Sequence, residues 1–263
     1  VIASKRAKAG ALLSALLLFA ASYATAATVQ TEGVRVTVLS QVEPFKLPRE
    51  GTAPIAVFVG GHLSTPSGEI PPQLNELTVD VNRHGLLQSK GLPSCPIRKI
   101  QPASTEKALE ACHSALIGSG QFWAHIVLAG QEPYPTHGRL LIFNGKQGRK
   151  PLLLAQIYTS NPFNASFVVS FAISQIKKGP YGTRLKAAFP EALGSWGYVD
   201  RIKLTLKRKY HFKGQELSYF NAGCPAPEGS KRTVFPLAYV SFSFAGRPSI
   251  GKAIPKACGV KGK

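Results

Sequence analysis

The run Arg201 to Lys213, RIKLTLKRKYHFK, has the residue types and spacing that point most directly to a chemistry, and that chemistry is anion binding. In an extended chain successive side chains point to opposite faces. Arg201, Lys203, Thr205, Lys207 and Lys209 therefore share one face, and Ile202, Leu204, Leu206, Arg208, Tyr210 and Phe212 share the other. The first set is a cationic stripe, with Arg201, Lys203, Lys207 and Lys209 as candidate binding residues. Edge protection is the competing account, because lysines on an edge strand deter pairing with a second sheet. Tyr210 and Phe212, on the reverse face, read as core.

Catalytic patterns are poorly supported. The chain has no GxSxG elbow, no HExxH and no P-loop. Gly194-Ser195-Trp196-Gly197 superficially resembles a nucleophile turn, but its glycine spacing is wrong and it reads as a tight turn. The six histidines, at 62, 84, 113, 125, 137 and 211, are scattered. His125 alternates with Trp123 and Val127 on one strand face, the pattern of a packed histidine. His113 adjoins Cys112, but a disulfide at Cys112 leaves no thiolate for Cys–His catalysis. Aspartate occurs only at 80 and 200. A glycosidase needs two carboxyls facing one another, and these two lie near strand ends where acids are ordinarily solvated. No CxxC or paired-His spacing supports a metal site, and no cofactor is expected.

The address of the protein is easier to read. Lys5, Arg6 and Lys8 precede an apolar run from Ala11 to Ala21, and Ala24-Thr25-Ala26 fits a small-residue cleavage pattern. Residues 1–26 thus read as a signal peptide and 27–263 as one β-rich secreted domain, cleaved near Ala26. The formal charge is +19, and +16 without those three leader cations. Such a charge attracts anionic surfaces over a distance that salt shortens. In an exported chain the expected partner is an anionic envelope polymer or a membrane surface rather than nucleic acid. Four cysteines in that compartment imply two disulfides. Three pairings are possible, and Cys95–Cys112 with Cys224–Cys258 is preferred because each pair is local.

The elements that would position these residues are mostly strands. Alternation or apolar runs mark Val34–Val38, Ile55–Val59 (followed by Gly60-Gly61), Leu74–Val81, Phe122–Leu128 and Arg139–Phe143. Asn144-Gly145 is a strong turn signal, with Leu152–Tyr158 pairing back across the Gly145–Lys150 loop. Phe167, Val169, Phe171 and Ile173 alternate with serines. Pro180–Gly197 looks looser, Tyr198–Phe212 is a long strand returning through Leu217–Phe220, and Thr233–Phe244 follows. One amphipathic helix interrupts them, over about 104–117. Ser104 is its N-cap, Glu106 suits its first turn, and Ala108, Leu109, Ala111, Cys112, Ala115 and Leu116 form its stripe. Gly118 and Gly120 supply its stop. The fold class is all-β, an antiparallel β-sandwich or open barrel with that helix packed against the sheet.

Several stretches resemble an uncharacterised family of exported β-rich proteins from high-GC Gram-positive bacteria. They are Leu47-Pro48-Arg49 with Ala53-Pro54, Pro71-Pro72-Gln73-Leu74, Gly91-Leu92-Pro93-Ser94-Cys95, the run Ala111 to Gly120 (ACHSALIGSG), Phe143-Asn144-Gly145 and Tyr181-Gly182-Thr183. The resemblance implies no activity, since none is established for that group. It implies two structural disulfides in one module.

The leading expectation is a secreted, non-catalytic, envelope-associated module that binds anionic polymers or lipid headgroups through its basic strand face. Two alternatives stand beside it. One is a secreted hydrolase, which needs His, Glu or Asp converging in a pocket. The other is an apolar-ligand carrier, which needs a cavity lined by residues such as Phe167, Phe171 and Phe242.

Overall fold

The computed structural model describes residues 25–31, 33–189 and 197–262. In chain order the first strands are β1 (Thr25–Thr31), β2 (Val34–Glu43), β3 (Lys46–Leu47), β4 (Ala53–Pro54), β5 (Ala56–Ser64), β6 (Leu74–Asn82) and β7 (Gly85–Leu87). The helix α1 (Thr105–Cys112) follows, extended by a 3-10 turn at His113–Ala115. Next come β8 (Leu116–Ile126), β9 (Tyr134–Gln147), β10 (Lys150–Thr159), β11 (Ala165–Gln175), β12 (Tyr181–Ala188) and β13 (Gly197–Leu206). The remainder are β14 (Lys209–Phe212), β15 (Gln215–Ser218), β16 (Phe220–Ala222), β17 (Arg232–Phe244) and β18 (Ile250–Val260). Residues 1–24 of the expected leader and residues 194–196 of the expected tight turn lie outside the described residues. Thr25 and Ala26 pair with Ser40 and Leu39, so cleavage after Ala26 would shorten β1 by two residues and leave Ala27–Thr31 paired.

Thirteen strands form one sheet in the order β1-β2-β5-β13-β8-β9-β10-β11-β12-β6-β17-β18-β3. Its pairings are antiparallel apart from the short parallel contact of β3 with β18. The sheet curls into a half-barrel. Its two ends approach: Lys252 Nζ donates to the Thr28 carbonyl at 3.1 Å, and Ala27 packs with Val240 and Ile254. Inward-facing Val42, Phe122, Leu140, Ile142, Leu153, Ala155 and Val169 build the largest core cluster. Residues between them in sequence face outward, as strand alternation requires.

The helix lies on the outer side of β9 and β10. Ala108, Cys112 and Ala115 pack there against Leu141, Phe143, Leu152 and Leu154. Full burial of each such leucine or phenylalanine is worth about 1.5–3 kcal/mol. Ser104 caps the helix, its hydroxyl oxygen accepting from Lys107 N at 3.3 Å. Cys95–Cys112 ties its last turn to the loop that meets β9, where Cys95 N donates to Asn144 O at 2.8 Å. Cys224–Cys258 joins the segment after β16 to β18. The pairing preferred from the sequence is the one formed, and no described cysteine is free. Two disulfides are consistent with an oxidising, extracytoplasmic compartment.

Several expectations need correction. The helix ends at Cys112 and its 3-10 extension at Ala115, rather than at residue 117. Leu116 is already paired with Phe143. Gly118 and Gly120 do not stop a helix; they are strand residues facing β13. A Cβ on Gly120 would fall 1.9 Å from the Lys203 carbonyl oxygen, so glycine there lets β8 and β13 approach closely where the sheet curls. The strand begun by the Ile55–Val59 run continues through Gly60-Gly61 to Ser64 in β5. Asn144-Gly145 is not the turn: both residues pair with Leu153 and Leu152. The chain reverses later, at Gly148-Arg149, with positive φ at Gly148. The looser 180–197 region contains β12, paired with β11 and β6. The long 198–212 strand divides in two at Lys207-Arg208.

A candidate anion-binding face

β13 is an interior strand, hydrogen-bonded to β5 on one side and β8 on the other. Edge protection therefore does not account for its basic side chains. Ile202 and Leu204 point into the core, while Arg201 and Lys203 point outward and are exposed. A β-bulge at Asp200 sets this phase, since the register with β8 shifts between Val199 and Arg201.

Register now brings together residues that are far apart in sequence. Across β2, β5, β13, β8 and β9 one row reads Thr37, His62, Arg201, Trp123 and His137. The adjoining row reads Leu39, Gly60, Lys203, Gln121 and Arg139. With strands about 4.8 Å apart, each row spans roughly 20 Å. Both central cations lie against the same indole. Arg201 Cζ is 5.5 Å and Lys203 Nζ 5.7 Å from the Trp123 ring centroid. Attraction to the electron-rich ring face holds each cation in place without neutralising it. Neither forms an ion pair among the described residues. Gly60 opens the face beside Lys203, where a Cβ would meet the Leu39 side chain at 3.3 Å.

The four residues singled out from the sequence occupy different settings. Arg201 and Lys203 form the centre of the face. Lys207 is exposed just beyond the end of β13, and its amide donates to Ile117 O at 3.0 Å. Lys209 belongs to a separate two-stranded hairpin, where its ammonium pairs with Glu216 at 2.8 Å. That pairing, first by hydrogen bond and then by charge, holds the Glu216 carboxyl below its usual range. The helix bounds the face on the β9 side. Its first-turn Glu106 is held low in pKa chiefly by its backbone and Ser104 hydrogen bonds, with a smaller contribution from Arg139. His62, Trp123, His137 and Arg139 complete the face and could not be assigned to it from sequence. Trp123 had a usable signal, since Gln121, Trp123 and His125 alternate with the apolar side of β8.

Other candidate residues are dispersed. Asp80 is held by Arg184 through two bonds of 2.6 and 2.7 Å, and five strands separate β6 from β13, which carries Asp200. His125 stacks on Tyr198 at 5.0 Å, and burial pushes the Tyr198 hydroxyl up, helped by the nearby Asp200 charge. His113 is exposed beside the disulfide-bonded Cys112. Among the described residues no group of three His, Cys, Asp or Glu side chains is placed to hold a metal ion. Phe171 packs against the largest core cluster and Phe242 against two smaller ones.

No protein-family model, curated protein or solved structure matches the chain.

Proposed function

We propose that the protein is an exported, non-catalytic module of the cell envelope that holds phosphate- or carboxylate-bearing polymers or lipid headgroups on its Trp123-centred cationic face. The observation that carries this reading is the placement of Arg201 and Lys203 over one indole on an interior strand, both without a carboxylate partner among the described residues. Pinned side chains lose less rotational freedom when they meet an anion. The net charge and the leader-like residues 1–26 support the same reading, as does the resemblance to exported proteins.

The test is adsorption of the disulfide-intact chain, begun at Ala27, to purified cell wall and to phosphatidylglycerol vesicles. Retention at low salt and release as salt rises support the reading. Absence of binding to both at low salt sinks it. Retention on wall alone or on vesicles alone distinguishes polymer from headgroup.

A further inference from the structure

A second feature stands apart from the Trp123 face. Beside the β14–β15 hairpin lies an open hollow of about 640 Å³, within the range of roughly 300–1,000 Å³ usual for ligand sites. Leu86, Leu87, Phe212 and Leu217 are its apolar lining residues, and Lys90 and Lys213 stand among its polar ones with Gln88, Ser89 and Gln215. Among the described residues no acidic side chain lines it. Leu86 is 44% exposed, a large apolar side chain left facing water.

The walls are fastened to each other. The Tyr210 hydroxyl lies 3.0 Å from the carbonyl oxygens of both Gln88 and Lys90. Gln88 N donates to Tyr219 O at 2.8 Å. Gly91 has φ +82°, and a Cβ there would lie 2.1 Å from Phe212, so glycine permits the two walls to close on each other.

Lys213 carries an independent sign. Among the described residues it is the one non-glycine with positive φ, at 50°. With Gly214 at 76° it makes a two-residue hairpin turn whose geometry favours Asn-Gly. The chain instead places a lysine there, with its ammonium 5.8 Å from the Phe212 ring centroid. The turn thereby sets a cation at the hollow, whose lining Lys213 joins.

We propose that this hollow binds a single-chain amphiphilic anion, an aliphatic chain on Leu86, Leu87, Phe212 and Leu217 with its carboxylate or phosphate between Lys90 and Lys213. Charge complementarity selects the head and the apolar lining selects the tail. The site does not depend on the Trp123 face.

The experiment is calorimetric titration of the disulfide-intact chain with dodecanoate and dodecyl phosphate, both below micelle formation. Dodecyl maltoside and inorganic phosphate serve as the headless-charge and tailless controls. The expected result is saturable binding of the two anionic amphiphiles, at least about tenfold tighter than either control. Lys213→Asn keeps a residue suited to positive φ and removes the charge. Its melting temperature should hold or rise while affinity falls about three- to fivefold. Adding Lys90→Gln should bring the loss to about tenfold, and Leu86→Asp should abolish binding. Arg201→Gln with Lys203→Gln should leave it unchanged. Equal binding of dodecyl maltoside overturns the proposal, as does wild-type affinity in the Lys90/Lys213 double variant. Loss of binding in the Arg201/Lys203 variant would assign the amphiphile to the other face and likewise overturn it.

Discussion

Replacing Gly120 by alanine adds one methyl group where β8 faces β13. Its carbon would sit 1.9 Å from the Lys203 carbonyl oxygen, 2.8 Å from Leu204 Cα and 2.9 Å from Lys203 C. The obstruction is backbone, not the end of a flexible side chain, so a rotamer change cannot relieve it. Gly120 has no positive φ, so the cost is purely steric. Overpacking of a well-filled interior costs typically about 1–3 kcal/mol. Here β13 must also move away from β8, breaking ladder hydrogen bonds around the Leu204–Gly120 and Lys203–Gln121 pairs. Each buried polar group left unpaired adds about 1–3 kcal/mol. Together these give a loss of at least about 3 kcal/mol, and a melting point lowered by roughly 10 °C for a chain of this size. Gly148→Ala is the contrast. Gly148 has φ +60° with nothing within 4 Å of an added Cβ, so the change should cost only about 1–2 kcal/mol of backbone strain. Urea unfolding of both variants measures the difference. A Gly120→Ala protein within about 0.5 kcal/mol of wild type would refute the close approach of β8 to β13.

Cys95→Ser with Cys112→Ser opens a cross-link with a sequence separation of 17. Chain entropy sets the cost at about 3 kcal/mol. The helix covers β9 and β10 and does not form the cationic face, so adsorption to anionic vesicles at a temperature where the variant stays folded should match wild type. Selective loss of binding with stability preserved would give the helix a functional role. Lys256 is buried at 4% exposure, and burial pushes its pKa below the usual lysine range, opposed weakly by Glu43. A depressed lysine pKa means that the unfolded chain binds more protons across that window, so stability should rise as pH climbs toward the ordinary lysine value. Tyrosines with raised pKa, Tyr198 among them, lower stability over the same range in both proteins, so the rise is read as the difference between wild-type and Lys256→Met thermal melts, which should grow in favour of wild type as pH climbs.

Much of this architecture was legible in the sequence because local rules carried it. Period-two alternation located Val34–Val38, Leu74–Val81 and the Phe167–Ile173 strand. Ser104 announced the helix start, and the local spacing of the cysteines matched their pairing. Glycine caused most of the errors, because one residue type serves two purposes. After an amphipathic run, Gly118 and Gly120 have the look of a helix stop, yet their lack of a side chain is used for the approach of β13, a strand about eighty residues later. Asn144-Gly145 has hairpin chemistry, but pairing with Leu152 and Leu153 carries the strand through it. The cationic residues on β13 were visible, whereas their setting was not. Whether that strand lay at an edge, and that Trp123 from β8 stood between Arg201 and His137, depended on a strand order no local pattern encodes.

The central claim is that Arg201 and Lys203 together attract anionic surfaces. It is tested most directly by the salt dependence of binding to phosphatidylglycerol vesicles or purified wall polymer. Wild type should be compared there with Arg201→Gln/Lys203→Gln and with Lys207→Gln/Lys209→Gln. Each cation near an anionic surface contributes about 1 kcal/mol, so the first pair should lower affinity about thirtyfold at low salt and flatten the salt dependence. The second pair should cost less, because Lys209 is already engaged by Glu216. Equal affinity of the Arg201/Lys203 variant and wild type, or binding indifferent to salt, would contradict the account.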